Sequence, residues 1–546
     1  MKKKIALALT ACALCGTVNA QDIYKVENLS GNDLVGTSRY VGMGGAMSAL
    51  GADISAMGTN PASIGLYRRS DVALTGGVTV QSDAKEFLDI NKARGSWDQA
   101  GVVFAFKRNN SKLRFVNFGF NYQKRRNFKN YFSAQGDLSR YGGMSQTWEL
   151  RQMAGTLDLY DDGDRERTMP IACVGYDTQL LDPTFKTDEQ GNESVDGYND
   201  CTAQDYNYRR VQWGGIQQYD FNVSFNVDDR FYAGVTLGVY NVNMHSGLYY
   251  DETLNLGTQG GQTVSDYYYM NREESLKGTG IDVKFGFIFR PIEDSPFRIG
   301  IAVSTPTFYD LTEESYVYMN SPFSYTSADG SVEKYHPNAQ GNENYTEAGF
   351  NVGGNDYYIR TPWKLGLSMA TTVGNFLALD AEYEVSRYTG ASISYPDGGG
   401  DYGFIGSDKD HALNDQIDRW LKPVSTFRIG AEARLAPGLY ARAGYNYVST
   451  PFKDDAYLDL FTASPSYYYR TNTDYVNLGA THRGTFGLGY RGKMFYGDLS
   501  YQYQHQSADI YAFNYIENGD NVTNRLAPAK ADLNRHNVML TLGLKF

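Results

Sequence analysis

After its first twenty residues the chain has no apolar run long enough to cross a bilayer as a helix. A mean hydropathy of −0.47 excludes a helical membrane protein. It does not exclude a barrel, whose strands offer only alternate residues to lipid. Histidine is scarce, at six: His245, His336, His411, His482, His505 and His536. None sits in a metal-ligand spacing or beside a G-x-S-x-G elbow, and no pair suggests axial haem ligands. Gly42-Met43-Gly44 is no dinucleotide fingerprint, because Met47 stands where the third glycine belongs and no strand precedes it. A triad assembled from distant strands leaves no spacing signal, but nothing here points to an enzyme or a cofactor. Proline is also sparse, 15 residues against 58 Gly, 45 Tyr and 28 Phe. That balance suits an antiparallel barrel with aromatic girdles. Positive charge is deficient too: the net charge of −12 excludes nucleic acid as a partner and fits solvated loops.

Lys2-Lys3-Lys4, then Ile5–Leu9, then Val18-Asn19-Ala20, reads as a secretory signal over residues 1–20 with cleavage before Gln21. Leu9-Thr10-Ala11-Cys12 also fits a lipidation box, but the apolar stretch before it is short. Cleavage removes two of the four cysteines and leaves Cys173 and Cys201, both in one polar segment. In an oxidising compartment they are expected to close a loop as a disulfide. Two unrelated thiols are the alternative; no histidine lies between them to suggest a metal site.

From Asp71 onward apolar and polar residues alternate. In Gln218–Val227, Tyr219, Phe221, Val223, Phe225 and Val227 share one face, and Gln218, Asp220, Asn222, Ser224 and Asn226 the other. One such strand fits a soluble sandwich as well as a membrane barrel. The connections separate the two. Fourteen alternating runs occur: 71–80, 99–107, 113–124, 217–227, 231–242, 280–290, 297–305, 362–371, 376–385, 426–435, 439–447, 484–491, 494–504 and 536–546. Most have the length of a tilted membrane strand, and fourteen is even. Short connections at 108–112, 228–230, 291–296, 372–375, 436–438 and 492–493 alternate strictly with long ones at 81–98, 125–216, 243–279, 306–361, 386–425, 448–483 and 505–535. A sandwich has no reason to sort its loops this way. Phe546 ends the last run on the face of Val538, Leu540, Leu542 and Leu544, like the closing strand of an outer-membrane protein. The long loops carry Tyr249-Tyr250, Tyr267-Tyr268-Tyr269, Tyr316, Tyr318 and Tyr467-Tyr468-Tyr469. These either pack loops at the membrane interface or gather a hydrophobic ligand at the mouth. Asp161-Asp162-Gly163-Asp164 has no calcium-loop spacing and reads as a solvated run.

Arg39–Leu66 differs from everything after it. It is rich in small residues, and Met47, Leu50, Ile54 and Met57 predict a short amphipathic helix ended by Gly58, with a turn at Asn60-Pro61. So few large side chains bury too little to fold alone, so the segment is expected inside the cylinder. Gly44-Gly45-Ala46, Asn60-Pro61-Ala62 and Gly65-Leu66 resemble the N-terminal hatch of the FadL/OMPP1/TodX family of outer-membrane transporters for hydrophobic compounds. The family's N-P-A-G-L is two residues longer here, N-P-A-S-I-G-L.

The reading is therefore all-β: a 14-stranded antiparallel transmembrane β-barrel over residues 70–546, with a small helical hatch of residues 21–69 in its lumen. The resemblance implies a monomeric channel in the outer membrane of a Gram-negative cell. It would take up long-chain fatty acids or other hydrophobic small molecules passively, with a hatch that gates and a sideways release into lipid. Twelve ionisable residues face the lumen on this register: Asp282, Lys284, Arg290, Arg298, Lys364, Asp380, Glu382, Glu384, Arg428, Glu432, Arg434 and Arg442. Most are expected to pair; Arg298, Lys364 and Arg428 are the candidates to hold a fatty-acid carboxylate, as the family implies. The family also has an inward kink in its third strand, which would fall at Asn117, Gly119 and Asn121. Two other functions fit the same barrel: a binding or secretion partner for exported proteins, suggested by the long segment 125–216, and a haem receptor, disfavoured by the histidines.

The loop asymmetry makes a topological prediction. An epitope tag placed within 448–483 should be reached by antibody on intact cells, and one at 228–230 only after the outer membrane is opened. Reversed labelling would overturn the register.

Overall fold

The computed structural model describes residues 23–109, 112–259, 262–321, 324–326, 332–334, 347–396, 407–458, 464, 468–513 and 526–546. The expected signal segment, its cleavage site, His336 and Tyr467 lie outside the described residues. Two short helices come first among the described residues, α1 (Ile23–Ser30) and α2 (Ser38–Gly42), followed by 3-10 turns at Ile54–Gly58 and Pro61–Leu66. The barrel wall then runs β1 (Asp71–Gln81), β2 (Ala93–Lys107), β3 (Leu113–Asn127), β4 (Thr202–Val227), β5 (Phe231–Gln259) and β6 (Gln262–Phe289). β7 comes in two halves, Arg298–Ser304 and Phe308–Asn320, and so does β8, Glu347–Arg360 and Lys364–Val373. β9 (Leu377–Arg387), β10 (Pro423–Ala436), β11 (Leu439–Val448), β12 (Tyr475–Arg491), β13 (Phe495–Tyr511) and β14 (Ala529–Lys545) complete it. Every neighbour pair is antiparallel, and β14 pairs with β1 from Lys545↔Asp71 to Arg535↔Gln81. The sheet is therefore a closed cylinder of fourteen strands.

The breaks in β7 and β8 have one cause. Pro306 and Pro362 have no N–H to give a ladder. The two interruptions lie side by side and are stitched by Thr361 N to Thr307 O (3.0 Å) and Thr307 N to Thr361 Oγ1 (2.8 Å).

Burial runs opposite to that of a soluble sandwich. In β4, Phe221 and Phe225 are 50% and 37% exposed, while Asp220, Asn222, Ser224 and Asn226 are buried. The apolar face looks outward, as a lipid-facing wall requires, and the polar face lines the lumen. In β5 the outward residues Phe231, Val235 and Leu237 are exposed and apolar. Beyond Val239 the outward positions become Asn241, Asn243 and His245, and the inward ones become Met244, Leu248, Tyr250 and Leu254, all buried. β6 inverts in the same way, from Phe285 and Ile281 to Thr279 and Lys277. The inversion marks where lipid gives way to water.

Beyond that level β4, β5 and β6 continue to 26, 29 and 28 residues, far more than the ~9–11 that span a bilayer. Of the segment 243–279, expected as a loop, residues 243–259 and 262–279 are paired strands, and their tyrosines are strand residues. Tyr208, Tyr250 and Tyr268 point inward and are fully buried, with Tyr250 and Tyr268 ring centroids 6.3 Å apart.

The segment expected as one long loop, 125–216, is also structured. Asn130–Asp137 prolongs the barrel against β4. Between it and β4 lies an insert: α3 (Gln146–Ala154), α4 (Asp162–Arg165), α5 (Pro170–Asp177) and a hairpin of Asp182–Thr187 with Glu193–Asn199. Asp161 caps α4, its Oδ1 accepting from Gly163 N (2.9 Å) and Asp164 N (3.3 Å), which accounts for the acidic run. A further helix, α6 (His411–Trp420), buries Leu413, Ile417 and Trp420. The insert and α6 pack with the strand extensions and α1 into one aromatic-rich core above the membrane level. The insert forms a lid on the mouth.

The disulfide is a correction. Cys173 and Cys201 are separate free thiols. Cys173 is buried within α5 with Sγ 3.8 Å from Arg165 O, whereas Cys201 lies just before β4, its N donating to Thr147 Oγ1 and its O accepting from Trp148 Nε1. Packing of α5 and capping of α3 dictate where each goes. Burial pushes the Cys173 thiol up to about 11 and that of Cys201 to about 12, so neither is a ready nucleophile.

Glu252 fastens the lid. Its buried carboxylate accepts from Ser145 Oγ (2.5 Å), from Gln146 N at the start of α3 (2.8 Å) and from Tyr250 OH (2.6 Å). Burial pushes it up to about 7, from an ordinary 4.5. Burial therefore favours the neutral carboxyl: because the folded value lies above the unfolded one, its contribution is complete below about pH 4.5 and is lost, as the buried charge forms, when pH rises through about 7. Amide exchange in α3 should therefore be slower at pH 5 than at pH 8 after correction for intrinsic rates. Glu252→Gln should abolish the difference.

Candidate functional site

The site is built where the N-terminal segment meets the inner wall. The helix predicted through Met47–Met57 does not form. Gly51 and Ala52 take φ of +66° and +54°, which breaks it, and only Ile54–Gly58 winds, as a 3-10 turn capped by Asp53. A segment with so little regular structure leaves backbone N–H groups unpaired, and buried ones need acceptors. The wall supplies them. Glu382 Oε1 accepts from Met47 N (2.7 Å) and Ser48 N (2.6 Å), and Asp380 Oδ2 from Ala49 N (3.2 Å) and Leu50 N (2.7 Å). Both stand on the lumenal face of β9, two residues apart, so they match two successive peptide pairs.

Asn60-Pro61-Ala62 is buried in the lumen. Asn60 caps the second 3-10 turn, its Oδ1 accepting from Ala62 N (3.1 Å), and Pro61 takes the first position, where no N–H is needed. The turn touches wall backbone. A Cβ on Gly286 would lie 2.1 Å from Asn60 Oδ1, and one on Gly234 2.6 Å from Pro61 O. Asn222 Nδ2 bonds Pro61 O at 3.3 Å, and Thr236 Oγ1 bonds Met57 O at 3.2 Å.

Charge completes the attachment. Arg39 forks onto Glu432, with Nε and Nη2 each 2.9 Å from a carboxylate oxygen. Glu432 is also 2.6 Å from Arg442 Nε, and Arg442 Nη1 is 2.6 Å from Asp498. Higher up, Arg126 pairs with Glu27 of α1 (2.8 Å), Arg483 reaches Asp33 (3.5 Å), and Lys25 bonds Glu274 and Glu313. Arg125, Arg126 and Arg483 fell outside the alternating runs, and Lys25 and Glu27 before the glycine-rich stretch. Their signal was faint: Arg483, Thr485 and Gly487, like Asp498, Ser500 and Gln502, continue the inward phase of β12 and β13.

The three basic candidates divide. Arg428 is neutralised, with Nη1 3.3 Å from Glu382 and Nη2 3.3 Å from Glu384. It is not free to hold a ligand carboxylate, because register sets it opposite Glu382. Arg298 Nη1 donates to Leu50 O (2.9 Å) and Lys364 Nζ to Ser30 O (3.1 Å). Two other members of the lumenal set are placed differently from expectation. Arg434 is exposed at the turn end of β10, and Arg290 bonds the carbonyls of Asp229, Glu293 and Ser295.

The third strand has no opening at Asn117, Gly119 and Asn121. Pairing is continuous through them on both sides, and the register shifts lie beyond, at Leu113/Phe115 and Lys124/Arg126. Two of the three positions, Asn117 and Gly119, meet the N-terminal segment, and Asn121 bonds its wall neighbours. Asn117 Nδ2 donates to Ile64 O (2.7 Å) and Tyr67 O (3.1 Å), Asn121 accepts from Gln99 (2.9 Å), and Gly119 makes room for Met57.

Two cavities flank α1. One, of about 110 Å³, lies between the N-terminal segment and the wall, lined by Ser30, Arg125, Lys364, Tyr388, Arg428 and others. The second, of about 60 Å³, lies under the lid beside Tyr24, Arg210, Arg272 and Asp474. Charged and polar groups dominate both. The histidines are dispersed: His245 stacks on Trp213, while His482 and His536 bond Tyr445 and Tyr501, each at 2.8 Å, on the outer wall.

Arg442→Leu should test the charge relay. It strands buried Asp498 and leaves Glu432 with Arg39 as its remaining cation, and breaking such a buried pair costs about 3–5 kcal/mol. The barrel's heat-induced unfolding, read by gel mobility, should shift to lower temperature, and further than in the exposed control Lys277→Leu.

No protein-family model matches the chain, and curated proteins give no significant match. Among solved structures, it is similar to a Pseudomonas aeruginosa FadL homologue at 12% identity, over 94% of this chain and 99% of that one, with a TM-score of 0.46. It is similar to the CymD monoaromatic hydrocarbon channel at 10% identity, over 94% and 99%, TM-score 0.45. It is also similar to the Pseudomonas putida toluene transporter TodX at 12% identity, over 97% and 100%, TM-score 0.44. These superpositions are weak, and the fold assigned above rests on the strand pairing itself.

Proposed function

We propose that the chain is an outer-membrane channel of a Gram-negative cell for hydrophobic small molecules, long-chain fatty acids among them, with residues 21–69 as its hatch. The observation that carries this reading is the seat of Asn60-Pro61-Ala62: the turn lies in the lumen, against wall backbone, where its movement opens or closes the path. The hatch is attached mostly by hydrogen bonds and ion pairs to the wall. Such bonds exchange with water far more readily than a packed apolar core does. Aromatic rings lie beneath the lid, where Tyr24 is 5.1 Å from buried Phe452 and 5.4 Å from buried Tyr475, ring centroid to ring centroid; an apolar passenger would meet them once the lid moves. Release sideways into lipid belongs to this reading, but not through Asn117–Asn121, whose ladders are continuous. A second reading draws on the lid, which exposes Tyr160 and Phe185 at 63% and 61%: a surface for an exported protein.

Asn60→Ala and Pro61→Ala should each reduce uptake of a labelled fatty acid severalfold while leaving heat-modifiable barrel assembly intact. Normal uptake by both intact variants would sink the hatch role. A protein that co-purifies with the wild-type barrel and is lost from Tyr160→Ser/Phe185→Ser would favour the second reading.

A further inference from the structure

The larger cavity carries charge that its own walls do not neutralise. Three carboxylates line it, and each is engaged: Glu27 by Arg126, Asp33 by Arg483 and Glu384 by Arg428. Two cations of the same lining remain. Among the described residues Lys364 Nζ bonds the Ser30 carbonyl alone, and Arg125 bonds the neutral Asn32 Oδ1 (2.7 Å) and Thr307 Oγ1 (3.4 Å), its guanidinium lying 4.6 Å above the Tyr240 ring. Neither has a carboxylate at ion-pair distance among the described residues.

Two hydroxyls add to this. Ser30 Oγ and Ser386 Oγ are buried without a hydrogen-bond partner among the described residues, and both line the cavity. Ser386 stands directly across the ladder from Lys364, and Ser30 supplies the carbonyl that Lys364 grips. An ammonium, a guanidinium and two hydroxyls thus converge, all with donors to spare. Buried groups of this kind are ordinarily satisfied. Water would satisfy the hydroxyls but not offset the charges. The space of about 110 Å³ is a few waters' worth. Apolar residues such as Leu34, Val35, Val424 and Val448 also line it, but the two cations and two hydroxyls set the chemistry of the group it would hold.

We propose that this cavity is a binding site for one compact, hydrophilic oxyanion of phosphate size, held by Lys364 and Arg125 with Ser30 and Ser386 as hydroxyl donors. The assignment rests on the cavity's own charge and hydroxyls and does not depend on the uptake reading. The bound anion would tie α1 to β3, β8 and β9.

Isothermal titration of the full-length barrel in a non-ionic detergent and chloride-free buffer tests it, with inorganic phosphate, acetate and octanoate as separate titrants. Phosphate should bind at one per chain. Lys364→Met should weaken it about tenfold or more, since hydrogen bonds to charged groups are the strong ones. Lys364→Arg should hold it within severalfold of wild type. Ser386→Ala, which removes one oxygen and leaves the wall intact, should weaken it severalfold. No heat with phosphate, or equal affinity in Lys364→Met and Ser386→Ala, would overturn the proposal. So would binding of octanoate with phosphate silent, which would assign the site to the head of an amphiphile.

Discussion

A sheet in hydrocarbon cannot have an edge. Each unpaired N–H or C=O there costs several kcal/mol, so the only stable sheet is one that closes on itself. The pairing of β14 with β1 is that closure, and the rest of the structure depends on it. Once the cylinder is shut, alternate residues must face either lipid or lumen. The outward set becomes Phe, Leu, Ile and Val, and the polar remainder is sent inward, where it has to be satisfied. The inner polar lining is thus a consequence of closure before it is a functional feature. What the N-terminal segment does is use it.

The wall was legible in the sequence because two signals coincide within the membrane: a period of two, and an apolar set bounded by short turns. All fourteen runs correspond to strands for that reason. Above the membrane the signal reverses. In β5 the apolar set moves from Phe231, Val235 and Leu237 outside to Met244, Leu248 and Leu254 inside, and tyrosines occupy both faces. A reader following one apolar phase sees the strand stop at Val242, although the backbone runs on to Gln259. The lid was hidden differently. Its helices are four to nine residues long, too short for a helical period to show.

The lumenal site was legible by residue and not by partner. Inward phase on β9 and β10 singles out Asp380, Glu382, Glu384 and Arg428, but not that Arg428 is already saturated, because that needs the register between strands. Likewise the recurrence of Met47, Leu50, Ile54 and Met57 is real, and all four are buried. They are brought together by the wall carboxylates that seize Met47–Leu50 and by the left-handed backbone at Gly51, not by a helix. Cys173 and Cys201 show the limit of reasoning from compartment alone: oxidising surroundings permit a bridge, but the packing of α5 and the cap of α3 decide where the thiols sit.

The way the segment is held also constrains how it can move. Arg39, Glu432, Arg442 and Asp498 form an unbroken relay from the N-terminal segment to β13. Pulling Arg39 away dry would leave Glu432 with one partner instead of two, in a site with little water. The cost is of the order of several kcal/mol per stranded buried charge, too much for thermal opening to be frequent. The cost falls if water enters as the bonds break, because hydration replaces each lost partner. Water can already occupy the two cavities beside α1, whereas the relay lies deeper, under the 3-10 turns. Displacement that begins at α1 and runs down toward Asn60 therefore exposes charges to solvent one at a time. Displacement that begins at the relay exposes them together, into a dry space, and is the costlier route.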